Sequence, residues 1–156
     1  AWKCARGNVM NISNIIIGSD HAGLLLKQDC FIYLKDKEIS VQDLGTNSET
    51  SCDYPEFAVK VSRRALETNS LGILICGTGL GMCMTANRIS NIRAALCTNE
   101  IMAKMARKHN NANILCMGAR IVGTDLAKSI LEAFLHTEFQ GDRHQKRIDL
   151  IDSLTQ

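Results

Sequence analysis

A cysteine stands directly before a glycine-rich turn in Cys76-Gly77-Thr78-Gly79-Leu80-Gly81. A thiol can act as a base or nucleophile, and the amides of a glycine turn can hold an anion. Together they suggest chemistry at an acidic carbon, where a proton leaves and charge collects on oxygen. An apolar run over 71–75 precedes the turn and helix-compatible sequence over 82–88 follows it. Strand, turn and helix would aim the amides beyond the strand's carboxyl end. The packing alternative is a small buried thiol, but three glycines are costly to order and add nothing to a core. The spacing is not the GxGxxG of dinucleotide sites, and no P-loop lysine follows it.

Other groups could serve the same chemistry. Asp20 and His21 come directly after the β-branched run Ile15-Ile16-Ile17-Gly18. Asp20 could cap the next helix, worth about 1 kcal/mol, a duty that leaves His21 free. His109 ends a helical pattern and is followed by Asn110 and Asn111. Histidine there complements the helix dipole, and asparagine suits a left-handed cap. Arg143 and Arg147 lie one turn apart on one helix face, with Lys146 nearby. Cations in a first turn oppose the dipole, whereas forked donors suit a phosphate. Arg120, after the last strand, is positioned to join them.

The elements that must carry these residues alternate along the chain. Strands are expected over 15–17, 39–44, 71–76, 92–97 and 112–117. Helices are expected over 22–35, 57–66 (with Pro55 at its start), 82–88, 100–109, 124–135 and 142–154. This order predicts an α/β fold: a single-domain three-layer α/β/α sandwich, Rossmann-like, on a five-stranded mainly parallel sheet. In such sheets ligands bind at the strands' carboxyl ends.

The chain has 156 residues and a net charge of +2, with no run of five like charges, which argues against nucleic-acid partners. No apolar segment approaches the roughly 18 residues that span a bilayer, and the first residues lack a signal-peptide core. Seven cysteines at irregular spacing, with no CxxC and no zinc-ligand pattern, read as reduced and mostly buried thiols. A cytoplasmic protein is expected. Residues 1–13 read as an N-terminal extension or an artificial leader, Met10 being a candidate natural start, and residues 14–156 as the functional domain.

With these residues in place the chain resembles the type B ribose-5-phosphate isomerases, a family that includes galactose-6-phosphate and allose-6-phosphate isomerases. The resemblance rests on Gly18-Ser19-Asp20-His21-Ala22-Gly23, Asp53-Tyr54-Pro55, the Cys76 to Gly81 loop, Ala86-Asn87 and Arg93-Ala94. It continues through His109-Asn110-Asn111-Ala112-Asn113, Gly118-Ala119-Arg120 and Arg143-His144-Gln145-Lys146-Arg147.

That resemblance implies roles. Cys76 would move a proton between C2 and C1 of an open-chain sugar, with Thr78 beside it in the catalytic loop. The amides of Gly77, Thr78, Gly79, Leu80 and Gly81 would hold the enediolate oxygen. His109 would open the furanose ring, with Asn110 and Asp20 steadying hydroxyls. His21, Arg120, Arg143 and Arg147 would bind substrate, the arginines chiefly its phosphate. Some relatives carry a glutamate base just after the loop; Met82 and Cys83 stand there instead, which favours Cys76. Asp142 replaces the glycine common before Arg-His and could pair with Arg143. No metal or cofactor is expected.

A homodimer or homotetramer with sites between subunits is the implied assembly, with a sugar phosphate as the partner and neither nucleic acid nor membrane. The rival substrate is a hexose 6-phosphate. A non-catalytic nucleotide-binding module and a thiol redox protein are the readings from other classes.

Overall fold

Three strands form because their apolar runs have no face that water could share. In the computed structural model, which describes residues 14–155, these are β1 (Asn14–Ser19), β3 (Leu71–Cys76) and β5 (Ile114–Gly118). Every residue of β3 and β5 is buried. β2 (Ser40–Asp43) and β4 (Ala94–Leu96) are shorter and only partly buried, as edge strands are. The order is β2-β1-β3-β5-β4, and all four pairings are parallel. The expected leader over 1–13, with Met10 and Cys4, lies outside the described residues.

The helices are α1 (Leu24–Asp36), α2 (Tyr54–Glu67), α3 (Leu80–Ala86), α4 (Glu100–Asn110), α5 (Thr124–His136) and α6 (Arg143–Leu154). Alternate strand residues feed two cores. Ile15, Ile17, Ile73, Ile75, Leu115 and Met117 pack with residues of α1, α4 and α5, such as Leu34, Ala103 and Phe134. Ile16, Leu74, Cys76, Ile114 and Cys116 pack with Ala58, Val61 and Met82 of α2 and α3. The three layers expected from sequence are therefore present, with α6 packed against α4.

Several boundaries shift by two or three residues from expectation, and two of these shifts have a clear physical reason. The fourth strand was expected over 92–97, but the Ile92 amide closes a turn onto Ile89, and the Arg93 amide donates to the Asn113 side chain at 2.8 Å. Only three residues are left for the ladder. Helix α1 begins after Gly23, and no side chain caps it. Asp20 instead accepts from the Gly23 amide at 3.1 Å, closing the turn before the helix.

Candidate active site

At the carboxyl edge of the sheet, Cys76 ends β3 in register with Gly118. Its side chain lies on the α2/α3 face, 4% exposed, and Sγ accepts from the Gly79 amide at 3.1 Å. Gly79 has φ +81°, and a Cβ there would lie 2.5 Å from Leu96 Cδ1 and 2.9 Å from the Met117 carbonyl carbon. Both backbone strain and space therefore demand glycine. The Leu80 amide donates to Thr78 Oγ1 at 3.3 Å. Of the five amides expected to face an oxyanion, those of Gly79 and Leu80 are thus already engaged within the loop.

Neighbouring strands bring the next residues. The Arg120 amide donates to the Gly77 carbonyl at 2.9 Å, and its guanidinium covers Gly77, with Nη1 2.9 Å from where a Cβ would stand. Tyr54, at the start of α2, covers Gly81 in the same way, Oη lying 2.8 Å from the ideal Cβ position. Ser19 registers with Ile75, so Asp20 comes level with Cys76; the Asp20 amide donates to the Ile75 carbonyl at 3.3 Å. Asp20 is 5% exposed.

His21 is set by the segment after β2. The Cys52 amide donates to His21 Nδ1 at 3.2 Å, which leaves Nε2 to carry the proton of the neutral ring. That segment is in turn pinned by Lys27 of α1, only 1% exposed. Lys27 Nζ pairs with Asp43 Oδ2 at 2.7 Å and donates to the Thr46 carbonyl at 2.5 Å. The Leu44 and Thr46 amides bind the Ile17 and Ser19 carbonyls, so the segment continues along the end of β1. Sequence reasoning gave Lys27, Cys52 and Tyr54 no role. A lysine one turn inside an apolar helix face was the available signal for Lys27.

The remaining candidates collect at the opposite edge. Helix α4 starts beyond the carboxyl end of β4 and, at 11 residues or about 16 Å, delivers His109 and Asn110 to the amino edge of β5. There the Asn113 carbonyl accepts from Gly72, four residues and about 13 Å before Cys76 along β3. Asn111 caps α4 in the left-handed conformation at φ 44°, as expected. Arg93 binds the last carbonyls of the helix, Nε donating to Asn110 O and Nη2 to Asn111 O, both at 3.0 Å.

The Gln140 amide donates to the Lys108 carbonyl at 3.0 Å, which brings the start of α6 beside His109. The His109 and His144 rings stack with centroids 4.2 Å apart and planes 13° from parallel. Arg143 and Arg147 stand exposed at the same end of α6. A cavity of about 500 Å³ opens on this edge, lined by Asn110, Arg88, Arg93, Ile151 and Asp152 among others.

One chain therefore brings together Asp20, His21, Cys76, Gly77, Thr78, Gly79, Leu80, Gly81 and Arg120 on one edge. It gathers His109, Asn110, Arg143 and Arg147 on the other. The expectation that Arg120 joins Arg143 and Arg147 fails within the chain, because β5 leads to Arg120 and away from α6. Among the described residues no ion pair joins Asp142 to Arg143; Asp142 sits at φ 49° before α6.

The other thiols sort by environment. All six described cysteines are free, and Cys52 and Cys83 are only partly buried. Burial pushes Cys30 and Cys97 up to about 12, and raises Cys116 well above the usual thiol range. Cys83 is drawn down to about 7, first by a hydrogen bond from the Cys116 thiol, against its own burial. Yet Cys83 Sγ bonds to the Ala94 carbonyl at 3.5 Å and accepts from Asn87 at 3.5 Å. It faces the β4 seam, away from the glycine loop, so its reactivity does not reach the candidate site.

A parallel α/β sheet with a thiol and a glycine loop at its carboxyl edge defines the class. The chain belongs to the ribose/galactose isomerase family, whose model matches residues 15–151. The ribose-5-phosphate isomerase B of Escherichia coli is 39% identical over 147 residues, covering 93% of this chain and 98% of the relative. A solved ribose 5-phosphate isomerase from Thermotoga maritima matches at 51% identity and a TM-score of 0.88, covering 90% of this chain and 97% of its own. The Mycoplasma genitalium ribose-5-phosphate isomerase B, solved with bound ribulose-5-phosphate, matches at 45% identity and a TM-score of 0.87. That match covers 91% of this chain and 95% of the other.

Proposed function

We propose that this chain interconverts ribose 5-phosphate and ribulose 5-phosphate by proton transfer between C2 and C1 through an enediolate. The observation that carries the reading is Cys76 Sγ, held by the Gly79 amide at 3.1 Å beside Asp20 and beneath an arginine-covered loop. The thiolate takes the C2 proton, and the C1 carbonyl oxygen accepts the charge. The O2 proton passes to O1, and the thiol returns its proton to C1, leaving a ketone at C2. A positioned base contributes roughly 10²–10⁴-fold, and each preorganised donor to the oxyanion about 2.7–4 kcal/mol. Gly77, Thr78 and Gly81 supply these donors, His109 opens the ring while Asn110 and Asp20 steady hydroxyls, and His21, Arg120, Arg143 and Arg147 bind substrate, the arginines chiefly at its phosphate.

Because the two groups of residues lie on opposite edges, a site containing both Cys76 and His109 requires two chains. A symmetric homodimer, alone or paired into a tetramer, brings the amino edge of one copy against the carboxyl edge of the other. The exposed apolar residues Leu150, Ile151 and Leu154 of α6, beside that amino edge, support an interface there. Residues 14–156 act as one catalytic domain, in keeping with the family match over 15–151. Six unpaired thiols among the described residues support a reducing cytoplasm, and the proposed reaction belongs to pentose phosphate metabolism.

A hexose 6-phosphate is the second reading, favoured by a family description that includes galactose beside ribose. The test is conversion of ribose 5-phosphate to ribulose 5-phosphate without added metal, compared with allose 6-phosphate by kcat/KM. A preference for the hexose would overturn the assignment of substrate, and no turnover of either would overturn the reaction.

A further inference from the structure

Ring opening asks one residue to carry a proton and to release it in the same position. His109 is half-buried, and among the described residues no hydrogen bond holds its ring. What does hold it is the face of His144, 4.2 Å away and 13° from parallel. His144 is 6% exposed, and its buried Nε2 has no hydrogen-bond partner among the described residues. An imidazole buried with an unpaired nitrogen is a poor choice for filling space. A flat ring presented to its neighbour accounts for it better.

We infer that His144 is a positioning residue, whose ring face holds His109 in the plane in which it opens the sugar ring. The inference rests on the ring-opening role proposed for His109. The surroundings of His144 disfavour its charged form. Burial acts first, followed by His109, Arg143, Arg147 and Lys108, and together they pull its pKa below the usual histidine value. These are the groups that face it from α4 and from its own helix.

A neutral ring suits the task. An imidazolium attracts the π-face of a neutral neighbour, whereas two stacked imidazoliums repel. His109 can therefore gain and lose a proton without losing its platform. The platform also ties α4 to α6, so it fixes His109 relative to Arg143 and Arg147. Proton donor and phosphate ligands are thereby kept in one frame.

The experiment compares a substrate that must be opened with one that is already open. Ribose 5-phosphate is cyclic, whereas erythrose 4-phosphate cannot close a furanose because its terminal oxygen carries the phosphate. The reading is the ratio of kcat/KM for the two, taken on one sample so that partial loss of fold cancels. His144→Ala is expected to lower the ratio by about tenfold or more, and His144→Phe, which keeps a flat ring, to hold it within about threefold of the parent. Exchange of the C1 proton of acyclic ribulose 5-phosphate into D2O gives the comparison by a second route.

An unchanged ratio in His144→Ala overturns the inference, as does a Phe variant no better than Ala. His109→Ala, measured alongside, separates the two failures. An unchanged ratio in His109→Ala overturns ring opening by His109, and the inference with it. A lowered ratio there beside an unchanged one in His144→Ala overturns the inference alone.

Discussion

At the scale of single residues, position distinguishes the thiols better than acidity does. Cys83 is the most acidified of the shifted thiols, but its sulfur is turned to the Ala94 carbonyl and Asn87. Cys76 ends β3 beside Asp20 and meets the loop that can hold a developing oxyanion. The Cys76→Ala variant should therefore lose at least about 10²-fold in kcat while binding ribose 5-phosphate within about threefold of the parent. Turnover and calorimetry on one preparation check this; a kcat within tenfold would remove Cys76 as the base. The residues proposed for the chemistry stood out because a thiol before three glycines and an Asp-His pair after a strand have few packing uses. Lys27, Cys52 and His144 were not, because their roles arise from contacts distant in sequence. Cys52 and His21 are 31 residues apart, and the His109–His144 stack joins two helices. No local pattern announces such pairs.

At the scale of elements, the sheet was legible where burial on both faces produces an uninterrupted apolar run, as in β1, β3 and β5. The edge strands were less so, because partial burial makes their ends depend on neighbours such as Asn113. Helix packing on the α1/α5 face includes a polar clamp whose pH dependence can be derived. Glu132 accepts a short hydrogen bond from Tyr33 Oη, pairs with Lys37 Nζ at 2.9 Å and meets His136 Nε2 at 3.1 Å. Burial alone would raise the Glu132 carboxyl. The hydrogen bonds from Tyr33 and Lys37, with the charges of His136 and Lys37, outweigh it, and the net shift is downward from 4.5. A carboxyl with a depressed folded pKa adds stability above its unfolded pKa and loses it as pH falls through the folded one. Glu132→Gln should thus lower Tm by roughly 1–4 °C at pH 7, with the difference closing as pH drops below the ordinary carboxylate range. Thermal melts of both proteins from pH 7 to 3 test it, and a difference that widens toward acid would contradict the clamp.

At the scale of the whole molecule, parallel βα repeats sort the candidate residues by which end of a strand or helix they occupy. Cys76 ends a strand and Asp20 and Arg120 follow strands, so they share the carboxyl edge, whereas His109 ends a helix and is carried to the amino edge. Motif order alone is silent about this separation, but it follows once the sequence places Cys76 at a strand end and His109 at a helix end of a parallel fold. It makes a site divided between two chains the central claim, and mixing variants tests that claim directly. Cys76→Ala and His109→Ala should each be nearly inactive alone. Unfolded together and refolded, half of the dimers are mixed, and each mixed dimer carries one site with both residues intact. Activity should then return to about a quarter of the parent value. Activity no greater than the sum of the two variants refolded separately would contradict the divided site.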